Sequence, residues 1–197
     1  MLRDRPSSGI LRAMALGATV YHLQIDLSDV DRGVYESLDL RLARHPSESM
    51  RHLLTRVIAY CLRHEEGIAF SKAGLSDPDE PALCVRDLQG TLKAWIEVGT
   101  PSPERLHKAS KACGRVVVFT QNDPALIGRA ARGKTIHRAE EIAVFALAPP
   151  FLDALDAATD RNTKWVLVHN EGELYVTVGE QSITAPVTRH TLADLGA

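Results

Sequence analysis

Alternation of apolar and polar residues dominates both ends of the chain and predicts an antiparallel hairpin at each end. The first hairpin is formed by residues 17–28 and 34–42, and the second by residues 165–169 and 174–178. In the first hairpin the polar half of each strand is explained by a solvated outer face. The residues after Val178 are mostly polar, so no further strand is predicted there.

Between these hairpins the spacing changes to helices that alternate with strands. Apolar residues recur at helical intervals from Met50 to Cys61, which predicts a buried helix with Ser47 as its N-cap. A second helix begins at Ser102, and the uninterrupted apolar run at residues 115–120 is typical of a strand buried on both faces. This succession implies a parallel crossover. Shorter elements are predicted at residues 68–71, 125–132, 142–147 and 150–158.

These elements predict an α/β (α+β) fold with a central mixed sheet flanked by helices. The 197 residues suit one domain with a substantial core. We expect a disordered leader at residues 1–13, which carry mostly charged and polar side chains, and a single domain over residues 14–197. No apolar run reaches the roughly 18 uncharged residues of a membrane span, so no membrane association is predicted.

The cysteines and the net charge limit the cellular compartments and the classes of partner that the sequence predicts. The three cysteines are scattered without a Cys-x-x-Cys pair, which favours reduced thiols in the cytoplasm. The net charge of −2 does not indicate a molecule-wide attraction to nucleic acid. A nucleic-acid contact therefore requires a local basic surface.

The hairpin predicted within residues 78–108 carries the candidate chemistry. Taking Leu88-Gln89 as its two-residue turn pairs Glu97 with Glu80 and leaves the apolar side chains on the opposite face. A slip of one residue would make Asp79 the same-face neighbour of Glu97 instead. In either register the carboxylates face one another and need a compensating cation.

A divalent metal ion is one such cation, because Mg²⁺ (or Mn²⁺) prefers carboxylate oxygens, water and substrate phosphates. We therefore predict Asp79, Glu80 and Glu97 as metal ligands, with Lys108 on the next helix positioning water or phosphate. The plain alternative treats Asp79, Glu80 and Lys108 as solvated charges, and Glu48 as an acid near a helix N-terminus. Glu97 resists that alternative, because it lies inside an apolar run and an unpaired buried carboxylate is costly.

Four segments in this order carry a family resemblance: residues 42–48, 79–81, 95–99 and 119–122. Together they resemble the YaeQ family of bacterial proteins, over a stretch from about Met14 to near the C-terminus. The resemblance implies a variant of the PD-(D/E)xK nuclease fold, extended here by the two terminal hairpins. It also implies that Glu48 is the acid that the first helix contributes to the metal site.

The motif in this sequence departs from the family pattern of that fold. It reads Pro78-Asp79 and then Glu97-Val98-Gly99, so that Gly99 occupies the usual lysine position and Lys108 is the best replacement. We expect a metal-dependent nuclease-like protein that acts on nucleic-acid phosphodiesters. The alternative is a non-catalytic module that binds nucleic acid or a protein partner on a degenerate nuclease fold. The residues predicted to carry catalysis are Glu48, Asp79, Glu80, Glu97 and Lys108.

Overall fold

The structure is a computed structural model that describes residues 17–71 and 80–196. The predicted leader at residues 1–13 lies outside the described residues. The strands are β1 (Thr19–Asp29), β2 (Val34–Arg44), β3 (Ile68–Phe70), β4 (Leu83–Arg86), β5 (Leu92–Val98), β6 (Val116–Thr120), β7 (Ala143–Leu147), β8 (Asn162–Asn170), β9 (Glu173–Val178) and β10 (Gln181–Thr191). The helices are α1 (Met50–Leu62), α2 (Pro103–Ala112), α3 (Ala125–Ala131) and α4 (Pro149–Ala158), with one 3₁₀ turn at Ala139–Glu141.

One sheet of ten strands runs through the described part of the chain, in the order β2-β1-β8-β9-β10-β7-β6-β5-β4-β3. Most neighbouring pairs in it are antiparallel, and the pairs β1–β8, β5–β6 and β6–β7 are parallel. The predicted mixed sheet with flanking helices is therefore confirmed. Both predicted hairpins form, but they are continuous with the rest of the sheet. Among the described helices, none is long and apolar enough to span a membrane.

Strand β10 is not predicted by the sequence, yet it joins the two halves of the sheet. Its first half pairs with β9 and its second half pairs with β7. Most of its side chains are at least partly exposed, and Ala185 is its buried residue. Pro186 lies in the middle of the strand, where proline normally argues against a strand. The strand is therefore defined by its backbone pairing, because it has little apolar patterning.

Helix α1 forms as predicted, but with a different N-cap. The Ser49 side chain accepts a hydrogen bond from the His52 amide, whereas the Ser47 hydroxyl contacts the His45 ring. The prediction that Ser47 caps the helix is therefore wrong by two residues. Its cause is the turn at residues 45–48, which precedes the helix and was assigned to its first turn from the sequence.

The sheet curls around α1, so that strands at both of its edges contact this helix. Arg56 donates a hydrogen bond to the Ala43 carbonyl of the edge strand β2. Tyr60 stacks on Phe70 of the opposite edge strand β3, with ring centroids 4.8 Å apart. Polar side chains of α1 are consequently buried even where they lie outside its apolar stripe.

The hairpin of β4 and β5 forms, but its predicted register is wrong by two residues. Trp95 pairs with Cys84, where the prediction paired it with Ala82. Glu97 is therefore not opposite Glu80 as expected. The predicted apolar face is nevertheless correct, because a shift of two residues preserves the alternation of side chains.

A longer turn than predicted explains this shift. The Asp87 side chain accepts hydrogen bonds from the amides of Gln89 at 3.0 Å and Thr91 at 2.8 Å. The Asp87 amide in turn donates to the Thr91 carbonyl at 3.0 Å. This side-chain-stabilised turn adds residues to the connection, and a bulge after Val85 follows from it.

Successive residues of β5 face two different layers, which decides where the candidate acids point. Ile96 packs in the apolar cluster that includes α1 and α4. Trp95 packs in the second cluster, which includes Leu106 of α2 and Ile127 of α3. Because side chains alternate along a strand, Glu97 shares the α2 face with Trp95.

Candidate functional site

Glu97 lies near the end of β5 and is only 4% exposed. Its Oε1 accepts hydrogen bonds from Trp95 Nε1 and, at 2.6 Å, from Arg105 Nε. The same guanidinium donates from Nη2 to the Glu80 carbonyl at 2.6 Å. Arg105 therefore neutralises the buried carboxylate and joins it to the backbone that leads into β4.

Local sequence explains why Arg105 reaches Glu97. Gly99 has a positive φ of 99°, which suits glycine, and turns the chain out of β5. The Ser102 hydroxyl then caps α2 by accepting a hydrogen bond from the Arg105 amide, with Pro103 at the first helical position. The first turn of α2 is thereby held beside the end of the strand.

The other residues predicted for this site are Glu80, Lys108 and Asp79. The Glu80 side chain is half-buried and accepts a hydrogen bond from the Ser71 hydroxyl at 2.7 Å. Lys108 is exposed on α2, three residues beyond Arg105. Asp79 lies outside the described residues. The structure therefore links Glu80 and Glu97 through an arginine, which the sequence analysis did not assign to the site.

These residues do not by themselves fit a Mg²⁺ ion, which needs several oxygen ligands in near-octahedral geometry. Over residues 17–71 and 80–196, no group of three or more His, Cys, Asp or Glu side chains is arranged to hold a metal ion. In place of such a group, a guanidinium stands within hydrogen-bond distance of Glu97.

Glu48 belongs to a separate buried cluster at the start of α1. Its Oε2 accepts a hydrogen bond from Arg56 Nη2 at 3.2 Å. Its Oε1 is 2.9 Å from Arg56 Nε, a contact that lacks hydrogen-bond alignment. Burial raises the pKa of Glu48, although Arg56 favours the charged form. The signal that could have revealed this pair is an arginine next to the apolar stripe position Val57.

His52 lies between this cluster and the end of β5. Its Nε2 is 3.9 Å from Glu48 Oε1 and has no hydrogen-bond partner among the described residues. Its ring is 3.6 Å from the point where a side chain at Gly99 would begin. A lysine at Gly99 would therefore meet His52, because that position faces α1 and not Glu97. A lone histidine without ligand spacing carries no sequence signal for this placement.

The structure does not bring Glu48 and Glu97 together. Glu48 is paired with Arg56 where the sheet edges enclose α1, whereas Glu97 is paired with Arg105 on the α2 face. The two acids therefore form two charge-balanced clusters in the described chain, each with its own arginine.

We expect acid to destabilise the fold through His52. Burial and the nearby Arg56 lower the pKa of His52 from 6.5 to about 4. His52 is therefore protonated below about pH 6.5 in the unfolded chain, but only below about pH 4 in the folded state. Between about pH 7.5 and pH 5 this difference lowers the free energy of unfolding by about 2 kcal/mol. Urea unfolding at both pH values measures it.

The matched variant for this measurement is His52→Gln, which removes the titrating group. Glu48 acts in the opposite direction, because burial raises its pKa and the folded state takes up that proton first. The difference between the two proteins therefore isolates His52. An equal loss of stability in wild type and variant would contradict the expectation.

This arrangement defines the class of protein: an α+β protein with one large mixed sheet, whose buried acids are balanced by arginines. The family model described as YaeQ protein matches residues 14–187, and the chain therefore belongs to the YaeQ family. The resemblance inferred from the four sequence segments is confirmed.

Relatives with curated sequences and solved structures agree with this assignment. The protein named "Uncharacterized protein YaeQ" from Escherichia coli K12 is 36% identical over 112 residues, which cover 57% of this chain and 61% of the relative. The crystal structure of the YaeQ protein from Xanthomonas axonopodis pv. citri is 30% identical, has a TM-score of 0.78 and is matched over 88% of this chain and 97% of its own. The crystal structure of the YaeQ protein from Pseudomonas syringae is 31% identical, has a TM-score of 0.77 and is matched over 89% of this chain and 96% of its own.

Proposed function

We propose that this protein binds nucleic-acid phosphodiesters beside the β4–β5 hairpin, on a variant of the PD-(D/E)xK nuclease fold. The observation that carries the proposal is the placement of Arg105. The buried Glu97 holds its guanidinium, 2.6 Å away, at the first turn of α2. A guanidinium and the positive end of a helix both favour a phosphate, and the exposed Lys108 adds a further positive charge nearby.

Binding without cleavage is the mode that these contacts favour. Arg105 already compensates the charge of Glu97, so no metal ion is required for that purpose. Gly99 offers no amine at the motif lysine position, and that position faces His52. Glu97 then serves to orient Arg105.

Metal-dependent cleavage is the second candidate, and the burial of Glu97 beside the chain segment of Glu80 favours it. In this alternative Asp79, Glu80 and Glu97 hold Mg²⁺ or Mn²⁺, and Lys108 positions water or phosphate. It requires Arg105 to leave Glu97, because the guanidinium occupies the Oε1 atom.

Binding of a labelled oligonucleotide, followed by fluorescence anisotropy over a range of salt concentrations, tests the proposal. Lys108→Gln is expected to weaken binding to all sequences and to reduce the salt slope by about one. The matched control is Lys164→Gln, an exposed lysine of β8 that pairs with Asp26. Lys164→Gln should leave the affinity for the oligonucleotide and the salt slope unchanged.

Three outcomes separate the candidates. Salt-dependent binding that Lys108→Gln weakens, without cleavage in Mn²⁺, supports the proposal. Products that form only with Mn²⁺ or Mg²⁺, and disappear in Glu97→Gln, select the second candidate. Absence of salt-dependent binding to single-stranded and double-stranded oligonucleotides overturns both, and leaves a protein partner as the ligand class to pursue.

A further inference from the structure

Arg63, the C-cap residue of α1, is a half-buried cation that forms no ion pair within residues 17–71 and 80–196. Its guanidinium lies 4.4 Å from the Phe145 ring centroid and 5.8 Å from that of Phe119. The two rings are stacked on each other at 5.0 Å. Its Nε is buried without a hydrogen bond, and within the described ranges its guanidinium forms no ion pair. The two rings attract the charged group but do not neutralise it.

Arg32 and Arg115 lie near Arg63, and both act on its charge. The Arg32 guanidinium donates to the carbonyls of Leu62 at 2.8 Å and His64 at 3.0 Å, the residues directly before and after Arg63. Arg115, at the start of β6, donates to Glu65 Oε1 at 2.7 Å. Both arginines are therefore anchored to the chain that leaves α1.

Arg189 completes the group from β10. It is the direct cross-strand partner of Phe145, so its side chain points to the same face of the sheet as the ring beneath Arg63. Arg189 is exposed and forms no ion pair in the part of the chain that the structure describes. Burial, together with Arg32, Arg115 and Arg189, lowers the pKa of Arg63 to about 10, although Asp29 acts in the opposite direction.

Two carboxylates, those of Asp29 and Glu65, lie near these four arginines, and each already has a partner. The fully buried Asp29 accepts a hydrogen bond from His169 Nδ1 at 2.8 Å and lies 3.5 Å from Arg32 Nη1. Glu65 is paired with Arg115. Asp29 attracts Arg63 through space, but among the described residues neither Arg63 nor Arg189 forms an ion pair. Holding like charges together, one of them half-buried, costs stability unless an anion is bound.

Helix capping explains only part of the group. Arg32 satisfies two carbonyls at the C-terminal end of α1, as basic side chains commonly do. The side chains of Arg63 and Arg189 play no such role in the described structure, so capping does not explain their positions.

We propose that the C-terminal end of α1 is an oxyanion site, in which Arg63 and Arg189 bind a phosphate group and Arg32 and Arg115 lie at the rim. Planar guanidinium groups bind phosphate oxygens in pairs, and the ring of Phe145 lies 4.4 Å from the Arg63 guanidinium and supports it from one side. The phosphate belongs either to a small phosphorylated molecule or to a nucleic-acid backbone.

This site is independent of the proposed function at Glu97. Helix α1 (Met50–Leu62) has His52, which lies beside Gly99, in its first turn and Arg63 as the C-cap at its other end. Eleven residues of α-helix separate these two positions by about 16 Å. A phosphate bound at Arg63 therefore does not contact the Arg105 site, and either site can be disproved without the other.

Calorimetric titration with inorganic phosphate at constant ionic strength tests the proposal. Arg63→Met removes the charge and keeps an apolar side chain over the rings, and it should weaken phosphate affinity by about tenfold or more. Arg189→Gln alters an exposed position, so it is expected to fold normally and also to weaken binding. The matched control is Arg161→Gln, an exposed arginine before β8, which should bind phosphate like the wild type.

Competition with a labelled oligonucleotide distinguishes the two sources of phosphate. If Arg63→Met and Arg189→Gln reduce oligonucleotide binding while inorganic phosphate competes for it, the ligand is a nucleic-acid backbone. If they reduce phosphate binding alone, the ligand is a small phosphorylated molecule. The proposal is overturned if the wild type binds no phosphate at matched ionic strength, or if Arg189→Gln binds it as tightly as the wild type does.

Discussion

Arg56→Met is expected to lower the free energy of unfolding by about 4 kcal/mol, as the removal of one partner from a buried ion pair typically does. The side chains of Arg56 and Glu48 are 5% and 1% exposed, so water cannot replace the lost guanidinium. Methionine retains much of the apolar stem, and the loss therefore reports mainly the uncompensated carboxylate. Urea unfolding followed by tryptophan fluorescence measures it.

Two further proteins make this measurement specific. The double variant Glu48→Gln with Arg56→Met should recover most of the loss, because it leaves no buried charge. Arg51→Met changes the same helix at an exposed ion pair with Asp153 and should alter stability little. If Arg56→Met behaves like Arg51→Met, the Glu48 cluster is not the balanced buried pair described above.

Arg105→Met is expected to lower the free energy of unfolding by about 3 kcal/mol, again because a buried carboxylate loses its cation. Glu97 is 5% exposed and Arg105 is 23% exposed, so solvent reaches this pair more easily than it reaches Glu48. Trp95 Nε1 still donates to Glu97 but brings no charge. Urea unfolding in the presence of a chelator measures the loss.

Mn²⁺ then distinguishes the two candidate functions at this hairpin. A metal ion that binds the folded state stabilises it by mass action. If Asp79, Glu80 and Glu97 form a metal site once the guanidinium is gone, Mn²⁺ should restore the stability of Arg105→Met, and adding Glu97→Gln should abolish that effect. We expect no restoration, because no group of three or more His, Cys, Asp or Glu side chains in the described residues is arranged to hold a metal ion.

The control for this series is Arg129→Met. Arg129 is an exposed arginine on α3 that pairs with Asp123. The variant should leave stability and its response to Mn²⁺ close to those of the wild type. Equal stability of Arg105→Met and the wild type would show that Glu97 does not depend on Arg105, and would remove the basis of the proposed binding site.

Much of the fold could be predicted, because its patterns are local. Strands β1, β2, β8 and β9 alternate clearly, and the helical spacing from Met50 to Cys61 became the buried face of α1. The register of the β4–β5 hairpin could not be predicted, because Asp87 stabilises a turn longer than two residues. Strand β10 was missed because it pairs through its backbone and buries few side chains.

In the candidate site, too, some features could be predicted from the sequence and others could not. The burial of Glu97 could be predicted, since a carboxylate inside an apolar run of a strand is carried inward with its neighbours. Its partner Arg105 is eight residues away on the next helix, and only the direction of α2 brings the two together. The burial of Glu48 depends on sheet edges that close around α1, which no local spacing encodes.

Residue spacing and local turn chemistry predicted the hairpins, the buried face of α1 and the parallel crossover, and the four motif segments indicated the family. The packing of the sheet against the helices sets which cation balances each buried acid, and it gathers four arginines from separate segments at the end of α1. The physical reason is that charges act through space, while the distances between them are set by how the sheet and helices pack.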